Sequence, residues 1–164
     1  MLFVVLLGGK HPRARIEVHD VAFVTGATLA QTHADLRAGW FGTPESLHID
    51  SWLEVDGVEG YRITFSHQAP GEGEPRLFFV NLGGYEDGVF GEAHRYRLLV
   101  APDVATARAR AKALAPSVWE QGHVDALFDL DDCVPVDRVG GHHVHLVPGA
   151  HRPVVAKSDY IRLA

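Results

Sequence analysis

Two short polar strings, Glu17-Val18-His19 and His48-Ile49-Asp50, return 75 residues later as Glu92-Ala93-His94 and His123-Val124-Asp125. Recurrence at one fixed offset is the signature of an internal repeat, and it constrains the fold strongly, since each copy must bury its apolar face against a neighbour. The surroundings recur as well. The apolar run 2–7, closed by Gly8-Gly9, returns as 78–82 closed by Gly83-Gly84, and the alanines at 30, 34 and 38 return at 105, 109 and 113.

The pattern within each stretch predicts its elements. Residues 2–7 are continuously apolar, as in a strand buried on both faces, and Gly8-Gly9 reads as its terminating turn. Residues 16–25 are β-branched and apolar, and a period of two puts Glu17 and His19 on one face. Thr28 with Gln31 has the form of a capping box, predicting a helix over 29–38 stopped by Gly39, with Ala30, Ala34 and Ala38 as the face that sits on a sheet. Residues 48–55 alternate as a strand carrying His48 and Asp50 on one side. Asp56-Gly57 signals a turn, and 61–66 is a further strand.

The second half follows the same order, with a helix over 104–115 capped by Asp103 and stopped by Pro116. The fold expected is therefore α+β: an internal duplication of a strand-strand-helix-strand-strand module, packed as one pseudo-twofold unit. The expected division is residues 1–67 as the first module, 68–76 as a Pro/Gly-rich linker, 77–148 as the second module, and 149–164 as a tail.

Composition narrows the function classes. Hydrophobic residues at 46% and charged residues at 22% predict a packed, soluble chain. A net charge of -6 without a basic run argues against nucleic acid or an anionic membrane as partner. The apolar opening is too short to span a bilayer. The lone Cys133 fits a cytoplasmic location, and its acidic neighbours argue against a nucleophilic thiolate. The 11 histidines turn attention to metal ligands or proton chemistry.

The strings GGK, IEVHD, WFGTPESLHID and FFVNLGGY resemble the domain of unknown function 1543 family, here in two tandem copies. The resemblance implies a small duplicated module and no particular activity.

An imidazole and a carboxylate two apart on a strand project to one side, so each half presents two histidines and two carboxylates if its strands are neighbours. The candidate ligands are Glu17, His19, His48 and Asp50, with Glu92, His94, His123 and Asp125 as the twin set. Such a set suits a divalent transition metal: zinc, manganese or iron. One reading is a metal-dependent enzyme acting on a small-molecule ligand. The other is a non-catalytic binding or assembly module, as a homodimer, in which the same residues hold the fold through paired buried hydrogen bonds. His142, His143, His145 and His151 read as a solvated strand face and its flank, while Asp56 and Asp131 read as turn residues at strand ends.

Overall fold

The apolar opening run forms β1 (Leu2–Gly9), buried along nearly its whole length. It lies between two antiparallel neighbours, β2 (Val18–Thr25) and β3 (His48–Val55). The architecture is taken from a computed structural model that describes residues 1–85, 88–118 and 128–163. The remaining strands are β4 (Gly57–Val58), β5 (Tyr61–Ser66), β6 (Arg76–Gly84), β7 (Ala93–Ala101), β8 (Phe128–Pro135), β9 (Arg138–Val139), β10 (His142–Pro148) and β11 (Val155–Arg162). The two α-helices among the described residues are α1 (His33–Gly39) and α2 (Val104–Val118).

These elements correct the expected α+β fold and its duplicated strand-strand-helix-strand-strand module: the chain is mainly antiparallel β. Among the described residues three sheets carry the structure, with strand orders β11-β3-β1-β2, β4-β5-β10-β9 and β7-β6-β8. The second sheet pairs β5 with β10, so strands from both halves of the chain share one hydrogen-bonded ladder. In the first sheet, β11 from the chain's end covers the outer edge of β3. Backbone pairing is what overrides the modular picture, because an exposed strand edge is stabilised by whichever strand reaches it.

The helices also differ from expectation. Residues Leu29–Thr32 form a turn of 3-10 helix ahead of the seven-residue α1, and Thr28 makes no side-chain cap. The Gln31 amide oxygen accepts instead from the Ala27 N–H at 2.9 Å. The alanines at 30, 34 and 38 are exposed, and the buried face is Thr32 and Leu36. In α2, Ala107 and Ala111 are buried while Ala105, Ala109 and Ala113 are exposed. Asp103 does cap α2, accepting from the Thr106 N–H at 2.7 Å, but the helix runs past Pro116 to Val118. Near a C-terminus one lost backbone donor does not end a helix.

Side chains alternate across β1 and divide the core. Phe3, Val5 and Leu7 pack with Leu36, Leu47, Ile49 and Leu163 beneath α1. Leu2 and Val4 face the other way, into a cluster with Leu77, Phe79, Val100, Val144 and Leu146 that joins all three sheets. Phe23 meets Phe79 edge-on across it, with ring centroids 5.5 Å apart. Each fully buried Leu or Phe contributes about 1.5–3 kcal/mol, so this shared cluster holds the sheets as one body. No helix among the described residues is long and apolar enough to cross a membrane.

Candidate metal centre

The register of the first sheet fixes one point near the end of β1. Gly8 pairs with His19 on one side and with His48 on the other. Cross-strand partners project to the same face, so the two imidazoles flank a position that carries no side chain. A β-carbon at Gly8 would stand 2.6 Å from His48 Nε2 and 2.8 Å from Asp50 Oδ2. Gly8 is thus a place of close approach rather than the turn that the Gly-Gly pair suggested, and it is not among the positive-φ glycines.

Asp50 arrives by a backbone irregularity. The pairing of β3 on β1 shifts between Leu6 and Leu7, where Ile49 and Ser51 keep partners and Asp50 is the extra residue. A β-bulge re-aims the side chain it carries. Here Asp50 nevertheless stays on the face of His48, and the residues at 17, 19, 48 and 50 converge.

Their polar atoms form a closed ring. His48 Nε2 lies 3.2 Å from Glu17 Oε1 and 3.3 Å from Asp50 Oδ1. His19 Nε2 lies 3.3 Å from Asp50 Oδ2 and 3.8 Å from Glu17 Oε2. Imidazoles and carboxylates alternate around it, each carboxylate spanning both rings. Ligand atoms about 2.1 Å from a tetrahedral metal stand roughly 3.4 Å apart, close to these separations.

Proton accounting sharpens the site. His48 Nδ1 is 2.9 Å from the Ser46 carbonyl oxygen, which can only accept, so the proton is on Nδ1. In the neutral ring Nε2 is then a bare lone pair, and it faces two carboxylate oxygens. His48 is 3% exposed. Asp50 Oδ2 is also buried and has no hydrogen-bond partner among the described residues. A cation between these atoms satisfies both. A histidine whose Nδ1–H is held by a backbone carbonyl while Nε2 faces the ion is the usual outer-sphere arrangement of a metal ligand.

The site is buried at His48 and open elsewhere. Tyr160 on β11, itself 63% exposed, lies against His48 with ring centroids 4.4 Å apart. Glu17 and His19 have side chains 47% exposed and form the mouth. Sequence reasoning missed Tyr160 and Ser46. Tyr160 lies 112 residues from His48 and only the pairing of β11 on β3 brings them together, while the role of Ser46 rests on its carbonyl.

The twin set is assembled differently. His94 pairs across from Gly83, but the other partner of Gly83 is Asp129. His123 and Asp125 lie outside the described residues. Glu92 and His94 meet Asp131 instead, with His94 Nδ1 3.1 Å from Asp131 Oδ2. Asp131 therefore belongs to a side-chain cluster as well as to a strand, which its reading as a turn residue did not foresee. The signal was a β-bulge, invisible in the alternation of β8.

The remaining candidates do not join either cluster. His145 Nε2 contacts the Gln68 carbonyl at 2.8 Å, and His142 stacks on His67. His151 meets the Gly60 N–H through Nε2, and Asp56 receives Arg152. Burial pushes the Cys133 thiol up, away from thiolate. Burial, then the carboxylates of Asp131 and Asp132, likewise push the Tyr96 hydroxyl up.

Residues 14–65 match the family model described as Domain of Unknown Function (DUF1543). The crystal structure of a protein Il1583 from Idiomarina loihiensis is 38% identical, over 99% of this chain and 97% of that one, with a TM-score of 0.75. The chain belongs to the DUF1543 family. The matched stretch of the DUF1543 model contains Glu17, His19, His48 and Asp50, and it covers one copy where two tandem copies were expected. None of the curated proteins matches this DUF1543 chain.

Proposed function

We propose that this DUF1543 protein binds a divalent transition metal at Glu17, His19, His48 and Asp50 and uses it on a small-molecule ligand entering past Glu17 and His19. The observation that carries the reading is the placement of His48 Nε2. Its Nδ1–H is held by Ser46, and its other face is set against two carboxylates. Two nitrogen and two oxygen donors favour zinc, iron or manganese over magnesium or calcium. A metal held there would act as a Lewis acid at the exposed side of the ring.

The second reading, a non-catalytic role for the same residues, is favoured by one feature. The ring ties β2 to β3 across Gly8, so it braces the sheet as hydrogen bonds alone would. Elemental analysis of untagged protein purified without chelators separates the two. The metal reading predicts close to one equivalent of metal, lost in His48→Ala while the fold is kept. Less than about a tenth of an equivalent, with no tight binding on reloading, together with a large loss of thermal stability in His48→Ala, would establish the bracing role.

A further inference from the structure

The second cluster has a chemistry of its own. Glu92, His94 and Asp131 each bring one ligand atom, and these atoms lie within 4.8 Å of one another. Oxygen ligands at about 2.3–2.6 Å from a large divalent ion stand at most roughly 5 Å apart, so one ion can touch all three.

The backbone is shaped for this convergence. The pairing of β8 on β6 shifts between Asn81 and Leu82, where Leu130 and Asp132 keep partners and Asp131 is the extra, bulged residue. Below it lies Gly83, where a β-carbon would collide with Glu92 Oε1 and with both oxygens of Asp131. The position can bear no side chain while these carboxylates stay where they are. Asn81, the next residue on this face of β6, donates from its amide nitrogen to Asp132 at 3.2 Å, while its buried Oδ1 has no hydrogen-bond partner among the described residues.

Charge points the same way. The cluster holds two carboxylates and one imidazole. Lys112 is turned to Asp129 at 3.5 Å, and Arg110 is held by Glu59 at 2.7 Å. The donors differ from those of the first centre: one nitrogen with carboxylate oxygens, and side chains 38% exposed for His94 and 27% for Asp131. Fewer nitrogens, and only three protein ligands with positions left for water, select a harder ion that keeps part of its hydration.

From this geometry we infer that Glu92, His94 and Asp131 form a second cation site, which takes an oxygen-preferring divalent ion of the manganese, magnesium or calcium kind. This inference stands on its own residues and does not need the first centre to be occupied.

Mn2+ titration of the full chain, followed by the electron-spin resonance signal of free Mn2+, tests it. His48→Ala removes the key ligand of the first centre, and in that background one Mn2+ equivalent should remain bound. Adding Asp131→Asn should weaken that binding at least tenfold. Glu92→Gln serves as a second variant if Asp131→Asn disturbs the strand, and circular dichroism checks the fold of each. No bound Mn2+ in folded His48→Ala, or binding unchanged by both Asp131→Asn and Glu92→Gln, overturns the inference. Wild-type protein that takes up no zinc yet shows Asp131-dependent Mn2+ binding would sink the reading of the first centre and support this one.

Discussion

His48 gives its Nδ1–H to the carbonyl of Ser46, two residues earlier on the chain, at 2.9 Å. That bond aims Nε2 at Glu17 and Asp50, and this orientation decides what the cluster can hold. Metal removal is the direct check. A metal present at one hundred times its dissociation constant adds about 2.7 kcal/mol to folding stability, which for a chain of this size is a midpoint shift of roughly 5–10 °C. Thermal unfolding of metal-free protein with and without added zinc should show that shift in wild type and little of it in His48→Ala. Equal shifts in the two proteins would place the metal elsewhere.

Gly8 offers an independent handle. In Gly8→Ala the new methyl group meets His48 Nε2 and Asp50 Oδ2 at 2.6 and 2.8 Å, so the ring must spread. The expected result is metal affinity down by at least tenfold and stability down by about 1–3 kcal/mol, the usual cost of overpacking. Gly39, at the end of α1, has open space where a β-carbon would go. Gly39→Ala should therefore leave metal binding unchanged. Calorimetric titration with zinc, beside urea unfolding, distinguishes the two substitutions.

Much of this site was legible in the sequence, for a reason that also marks where legibility stops. Side-chain alternation placed Glu17 with His19 on one face and His48 with Asp50 on one side of their strand, but the pairing of both strands with β1, which brings the four together at Gly8, is something no periodicity displays. The same blind spot hid Asp131. At the fixed offset of 75, His123 and Asp125 correspond to His48 and Asp50, yet backbone pairing puts Asp129 opposite Gly83 and bulges Asp131. Register is set by hydrogen bonding between strands far apart in sequence, so an ungapped comparison cannot follow it. Fold class failed likewise: β5 with β10 and β11 with β3 are long-range pairings that depend on which edges are free.

The β11 edge carries its own pH dependence. Lys157 donates to Glu54 at 2.6 Å and holds its carboxyl below the ordinary range. Arg152 donates to Asp56 at 2.6 Å with the same effect. Both carboxyls have lower values folded than unfolded, so their stabilisation is fully present above the unfolded range, about pH 4–4.5. It is lost as pH falls through the lower folded values. Both pairs are partly exposed and screened by solvent, so each contributes little. The urea midpoint should fall on acidification below about pH 4, and the fall should be shallower in Glu54→Gln and Asp56→Asn. An unchanged acid slope in the double variant would show that these pairs do not fasten β11.

Which face of α1 is buried has a measurable consequence. Leu36 is 1% exposed beneath the helix, among Phe3, Val5 and Leu7, whereas Ala34 points outward. Leu36→Ala deletes packed methyl groups and leaves a cavity against β1, for an expected loss of about 2–5 kcal/mol. Ala34→Gly removes no contact with the sheet and should cost only the helix-propensity difference, about 1 kcal/mol. Because β1 also carries Gly8, the Leu36→Ala cavity should loosen the strand on which the metal ring is built. Its zinc affinity should then fall further than that of Ala34→Gly. Chemical denaturation gives the first comparison and zinc titration the second. Equal costs for the two substitutions would mean that the alanine face, and not Leu36, rests on the sheet.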